Sequence, residues 1–197
     1  MFTGIVEAVG VVIAVATDTA GMRLTVEAPQ IAPWLKVGDS IAVNGTCLTA
    51  VELTETSFSA DAVLETLART NIGDLSAGSQ VNLERPMKAD GRFDGHIVQG
   101  HVDGVGTVSG LDPEGDGKRF SITVEDDLNR YIVDKGSVTV DGVSLTVAAR
   151  TGEGFQIALI PHTLEATILG HRQVGDRVNV EIDVIAKYVE RLIGDRT

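Results

Sequence analysis

Cysteine occurs once in this chain of 197 residues, at Cys47, so no disulfide can form within it. Aromatic residues make up only 4% and proline only 5 positions. A core poor in rings has to be assembled from Val, Ile, Leu and Ala. No stretch approaches the roughly 18 unbroken apolar residues of a membrane span. Cations are also in deficit, with 16 Lys and Arg against 28 Asp and Glu and a formal net charge of −12. Without a basic cluster, nonspecific binding to nucleic acid is excluded. The opening MFTGIVEAVG has no basic n-region, long apolar run or small-residue cleavage site. The chain therefore reads as cytoplasmic, with neither membrane nor nucleic acid as partner.

Glycine is abundant, at 22 positions, and Val and Thr recur in short runs between the glycines. That is the pattern of short strands and tight turns. The chain is also a tandem repeat. TGIVEAVGVV (3–12) aligns with QGHVDGVGTV (99–108), and IAVNGTCLTAV (41–51) with VTVDGVSLTVA (138–148). Residues 58–84 align with 155–181 at the same offset of about 97. Eighteen of these forty-eight pairs are identical, where composition alone gives about three. Two units follow, 1–96 including the linker KADGRFDG (88–95), and 97–185, with a separate tail at 186–197.

In the first unit, candidate strands lie near 2–6, 9–16, 22–28, 40–45, 47–54, 57–62 and 80–85. Many short strands in about 90 residues predict a small closed barrel in each unit. Short helical turns are expected at 29–36 and 126–133, and at 64–71 and 162–169. VIAKYVERLI (184–193) has no counterpart in the repeat. Its Ile185, Tyr188, Val189 and Leu192 follow the i, i+3, i+4, i+7 spacing of an amphipathic helix. It either packs on its own barrel or mediates self-association.

Cys47 in VNGTCLTA is matched by Ser144 in VDGVSLTV. A lone cysteine is commonly a small buried hydrophobe. A purely packed position, however, would drift among Val, Ala and Ile rather than between a thiol and a hydroxyl. His101 faces Ile5 in the repeat, so it is either a solvated turn residue or a proton carrier specific to one copy. His96 and His101 are five apart, and with one cysteine and four scattered histidines the sequence offers no metal site. GVGTV and EAVG read as barrel turns rather than phosphate loops.

Taken together, MFTGIVE, VNGTCLTA, LETLARTNIGDL, GHIVQGHVDG, DGVSLTV and IPHTLEATILG…GDRVNVEIDVIAKYVER closely resemble the riboflavin synthase family of the α-chain type, along the whole chain. The resemblance implies an all-β fold: two tandem, pseudo-twofold related six-stranded barrels of Greek-key type with short helices, and a C-terminal helix that forms a homotrimer. It implies dismutation of two 6,7-dimethyl-8-ribityllumazine molecules, by transfer of a four-carbon unit, to riboflavin and 5-amino-6-ribitylamino-uracil. No cofactor is implied. A lumazine synthase capsid surrounds such enzymes in some organisms and is a further partner that the resemblance allows. The rival expectation is a noncatalytic lumazine- or flavin-binding protein of the same fold.

Carried over by position, the first barrel's pocket would use Gly4, Ile5 and Val6, then Ser40, Cys47, Leu48 and Thr49. The segment Asp61, Ala62, Val63, Leu64, Glu65 and Thr66 would complete it. The second pocket would use Gly100, His101, Val102 and Lys135, with Ser144, Leu145 and Thr146. Leu159, Ile160, Pro161, His162, Thr163 and Leu164 would close it. Thr49 and Thr146 would read the heterocycle edge and Lys135 the ribityl chain. His101 and Ser144 are the expected proton-transfer groups, and Cys47 serves addition or orientation. His162 departs from the acidic residue that the family often carries there, and its repeat partner is Glu65.

Overall fold

A computed structural model describes residues 1–194. The first barrel is formed by β1 (Ala8–Thr17), β2 (Gly21–Glu27), β3 (Ser40–Val43), β4 (Thr46–Leu53), β5 (Ser57–Val63) and β6 (Gln80–Glu84). It closes in the order β1-β2-β5-β4-β3-β6 with every pairing antiparallel. The second is formed by β7 (Gly104–Glu114), β8 (Gly117–Thr123), β9 (Ser137–Val140), β10 (Val143–Thr151), β11 (Gly154–Leu159) and β12 (Arg177–Ile182). It closes in the equivalent cyclic order. Even the irregularities repeat. Register shifts fall at Val12/Ala14 and Ala50/Glu52 in one barrel, and at Val108/Gly110 and Val147/Ala149 in the other. Such bulges bend a strand and let a six-stranded sheet curl shut.

The alternation of each strand explains its burial. On β6, Val81 and Leu83 enter a core with Leu24, Ile41, Phe58 and Ile72. On β12, Val178 and Val180 join Phe120, Ile122, Phe155 and Ile157. The helical turns fall near the expected places. Helices α1 (Leu64–Arg69), α2 (Asp126–Asn129) and α3 (Pro161–Ala166) are short, and 3₁₀ turns occupy Ala32–Trp34, Asn71–Asp74 and Ile168–His171. The helix α4 (Val184–Ile193) matches the amphipathic stretch, while 195–197 of the expected tail lie outside the described residues. None of these helices is long and apolar enough to cross a membrane.

One expected strand is absent. Residues 2–6 join no barrel sheet; Phe2 instead forms an isolated bridge with Val98. The bridge pairs the leading segments of the two repeats across a local twofold axis. The same axis brings Gly45 against Gly142 so closely that a Cβ on Gly45 would sit 2.6 Å from the Gly142 nitrogen.

Around that contact lies a dry polar seam. Asn82 donates to the carbonyl of Asp141 at 2.8 Å, and Asn179 donates to the carbonyl of Asn44 at 2.8 Å. In return, the amides of Ile168 and Asn71 donate to the Oδ1 atoms of Asn82 and Asn179. Each barrel thus satisfies the buried Asn82 or Asn179 side chain of the other, which fixes their mutual geometry, while Asn44 Nδ2 and Asn71 Oδ1 stay without a hydrogen-bond partner among the described residues. The seam departs from symmetry where Asn179 also reaches the Thr46 hydroxyl at 3.3 Å, Val143 standing at the equivalent place, and above all at Asp141. Asp141 accepts from Asn71 and from the Arg172 guanidinium at 2.6 Å, whereas its counterpart is the neutral Asn44, and the repeat equivalents of Asn71 and Arg172 are Ile168 and Leu75, which have no polar side chain to offer. The charge appears only in the copy that carries a cation to balance it.

Candidate active site

The strand β4 carries Cys47, with Ser40 opposite Thr49 and Ala42 opposite Cys47 on β3. The strand β10 carries Ser144, with Thr139 opposite it on β9. Cys47 and Ser144 are each half-buried at the mouth of a barrel, beside half-buried Ser40, buried Ala42 and Thr139, and exposed Thr49. The segment that covers each mouth comes from the other repeat. The Cys47 amide donates to the Gly100 carbonyl at 2.8 Å, and the Ser144 amide donates to the Gly4 carbonyl at 2.7 Å. Both glycines have φ of +77°, and a Cβ on either would lie 2.6 Å from the Cβ of Cys47 or Ser144. Only glycine permits that approach.

This overturns part of the expected grouping. Gly4 lies on Ser144 rather than Cys47, and Val6 packs on the core of the second barrel. Gly100, the residue before His101, lies on Cys47 of the first barrel. The reason is the bridge between Phe2 and Val98, which carries each leading strand across the axis. Repeat alignment cannot reveal this crossing, because it leaves each copy looking self-contained.

Some of the remaining expected residues border two equivalent clefts, and others do not. A cleft of about 460 Å³ is bordered by Met22, Arg23, Asp61, Ala62 and Val63. Its counterpart, about 280 Å³, is bordered by Lys118, Leu159, Ile160 and Pro161. Val63 and Ile160 present exposed apolar surface there, as does Leu64 at the start of α1. Leu48 and Leu159 are buried, Leu145 packs on the second core, and Thr49 and Thr146 are exposed. Ile5 is exposed and borders a separate cleft of about 370 Å³ beside Trp34 and the linker.

Asp61 is not a free carboxylate. Arg23 grips it through two nitrogens at 2.7 and 2.8 Å and also reaches Glu52. The hydrogen bond from Arg23 holds the Asp61 carboxyl below the usual carboxylate range. Glu65 pairs with Arg69 one helical turn on, while His162 is an exposed residue of α3. Thr66 and Thr163 are half-buried on the equivalent helices, and Leu164 packs on the second core. Lys135 adopts a left-handed φ of 66° where the repeat has Gly38, and its ammonium donates to the Ala148 carbonyl at 3.2 Å. A lysine held in a conformation that glycine adopts freely marks a strained position at the barrel rim.

The sequence reading missed His96. Its Nδ1 is 2.7 Å from Ser144 Oγ, and its Nε2 is 3.3 Å from Thr139 Oγ1. Burial holds this imidazole below its ordinary range, so it is neutral near pH 7. A hydroxyl on a neutral imidazole that is itself oriented by a second hydroxyl is an arrangement suited to proton transfer. Cys47 has no such histidine hydrogen-bonded to it among the described residues. The two mouths are alike in backbone and unlike in chemistry.

Comparison with known proteins gives three findings. The lumazine binding domain model matches twice, over residues 3–86 and 99–183. Riboflavin synthase of Mycobacterium bovis is 48% identical over 197 residues, covering 98% of both chains. That of Actinobacillus pleuropneumoniae is 43% identical over 98% of this chain and 90% of its own. Among solved structures, LumP complexed with 6,7-dimethyl-8-(1'-D-ribityl) lumazine superposes with a TM-score of 0.84 at 25% identity, over 92% of this chain and 98% of the other.

Proposed function

The chain belongs to the riboflavin synthase family of lumazine-binding-domain proteins, and from that premise we propose that each barrel mouth holds one 6,7-dimethyl-8-ribityllumazine. One molecule gives up a four-carbon unit and leaves as 5-amino-6-ribitylamino-uracil. The other accepts the unit and becomes riboflavin, so all atoms are accounted for between the two products. The observation that carries this reading is the reciprocal capping of Cys47 by Gly100 and of Ser144 by Gly4. It builds two equivalent cradles, as a reaction between two copies of one substrate requires, and places different side chains in each.

In the second cradle, the neutral His96 draws the Ser144 proton and Ser144 in turn serves the proton abstraction from the substrate's C7 methyl group. In the first, His101 carries protons and Cys47 orients the partner ring. Thr49 and Thr146 read the ring edges, and the 61–66 and 159–164 segments flank the ligands. Alignment of two rings contributes up to roughly 7–11 kcal/mol of the barrier reduction.

The two cradles that react belong to neighbouring chains of a homotrimer, with 1–96 and 97–185 as the barrel units and the segment from 186 as the assembly element. Support comes from α4. Its polar side is tied to its own barrel by Glu190 with Arg130 and Tyr131, and by Lys187 with Asp103 at 2.7 Å. Its apolar stripe faces outward, with Leu192 75% exposed and Tyr188 65% exposed. The activity belongs in the cytoplasm, where the lone thiol of Cys47 stays reduced.

Incubation with 6,7-dimethyl-8-ribityllumazine tests the function. Equal amounts of riboflavin and 5-amino-6-ribitylamino-uracil are expected. A shift of ligand fluorescence without product would instead identify a lumazine-binding protein without turnover.

A further inference from the structure

Two buried glutamates stand at equivalent places in the barrels, Glu84 at the end of β6 and Glu181 near the end of β12. Glu84 accepts from the Thr3 amide at 2.6 Å, the Thr3 hydroxyl at 2.8 Å and the Gly4 amide at 3.0 Å. Glu181 accepts from the amides of Gln99 at 2.7 Å and Gly100 at 2.9 Å. Both oxygens of each carboxylate are therefore spent on one short leading segment. That segment's glycine carbonyl then receives the amide of Ser144 or of Cys47 in the opposite barrel.

We propose that Glu84 and Glu181 are crossed positioning residues, each belonging to one barrel and setting the geometry of the other barrel's cradle. Glu181 of the second barrel governs Cys47, and Glu84 of the first governs Ser144. The inference rests on the two-cradle reading above. A carboxylate suits the task because it accepts several amide hydrogens at once, and charge-assisted bonds of this kind hold a backbone more firmly than neutral ones. Burial raises the pKa of both groups against the pull of these amides. Retaining a carboxylate in so dry a place is a stability penalty that a simple packing role would not require. The crossed wiring also links the cradles, because a change in the tilt of either barrel moves the cap of the other.

The single cysteine makes the wiring measurable. Alkylation of Cys47 by iodoacetamide, with and without riboflavin as protecting ligand, reports on the first cradle. A Cys47→Ser, Ser144→Cys variant moves the sole thiol to the second. Glu181→Gln is expected to change the Cys47 alkylation rate about tenfold and to weaken its protection, since bonds to a charged acceptor are lost. Glu84→Gln leaves that rate within about twofold, as expected for independent sites. With the thiol at position 144 the two substitutions exchange their effects. Circular dichroism checks folding, and Glu84→Asp and Glu181→Asp, which keep the charge but shorten its reach, replace any Gln variant that does not fold. If each glutamate alters the thiol of its own barrel, or both thiols equally, the crossed role is wrong. Absence of riboflavin protection at either thiol with both glutamates intact would instead reject the two-cradle reading, while the crossed rates in ligand-free protein still decide the wiring.

Discussion

The imidazole of His96 and the hydroxyl of Ser144 stand 2.7 Å apart, joined by a linker histidine folding back over β10. The linker reaches this place because the His96 amide donates to the Thr3 carbonyl at 3.2 Å, beside the Phe2–Val98 bridge. The histidine thus belongs to the same crossing that caps Ser144. Its chemistry follows from burial, which favours the neutral ring and hence a proton acceptor at neutral pH.

His96→Gln is expected to lower kcat by about 10²-fold, the ordinary share of a general base. In the unsubstituted protein, activity falls on the acid side only once the buried imidazole protonates, below the ordinary histidine value of about 6.5. His96→Gln flattens that limb, and a pH profile of kcat/KM reads it. The stability effect has the same sign. The unfolded chain binds a proton at His96 more readily than the folded one, so stability declines as pH falls through the unfolded value toward the lower folded one.

Cys47→Ser should keep turnover within about tenfold, because Ser144 occupies the equivalent position under the same glycine cap. A loss of a hundredfold or more in a steady-state assay would show that the first cradle needs the thiol itself, in the addition step rather than in orientation.

The symmetry of the two repeats explains what was readable before folding. Offsets near 97 identified both barrels, and the partner positions Leu64–Arg69 and Pro161–Ala166 became equivalent helices. Cys47 and Ser144 were visible as a contrast between aligned residues. What alignment could not carry is contact between copies. Gly4 and Gly100 align with each other, so alignment groups each with its own half, although each lies on the opposite barrel. In the sequence the near neighbour of His96 is His101, whereas its hydrogen-bond partner Ser144 is 48 residues away across the fold. Glu84 and Glu181 counted merely as an identity, since nothing in a strand pattern says that a glutamate faces a buried turn.

Asp141 and Arg172 give a test of the seam. Asp141→Asn alone should destabilise the fold by about 3–5 kcal/mol, since it strands a partly buried guanidinium against a neutral amide. Adding Arg172→Leu reproduces the first repeat, where Asn44 and Leu75 stand at these positions, and should restore a good part of the loss. Urea unfolding of the two variants compares them directly. Equal stability of single and double variants would mean that the stranded Arg172 guanidinium carries none of the loss.

Gly100→Ala tests the cap at its tightest point. The alanine would have to keep a φ of +77° and fit a methyl 2.6 Å from the Cys47 Cβ. Backbone strain alone costs about 1–3 kcal/mol, and the clash pushes the leading segment off β4. Lower thermal stability together with faster alkylation of Cys47 is the expected result. Gly38→Ala is the control, because Gly38 has the same left-handed requirement with nothing within 4 Å of its Cβ position. It should lose stability without changing thiol reactivity.

Leu192→Asp addresses assembly. The α4 side chains Ile185, Tyr188, Val189 and Leu192 are exposed together, while Lys187 and Glu190 on the other side already bond the parent barrel. A charge on the outward stripe leaves those bonds in place, so each chain should fold normally, with unchanged circular dichroism. Covering the stripe with copies of itself is the arrangement that an aspartate opposes, through burial of unpaired like charges. Sedimentation equilibrium is expected to show a trimer for the unsubstituted chain and monomers for Leu192→Asp, and riboflavin formation should fall in the variant while lumazine binding to single barrels persists. A trimer that survives Leu192→Asp, or a monomer that still makes riboflavin at the full rate, would mean that the reacting cradles do not meet through this helix.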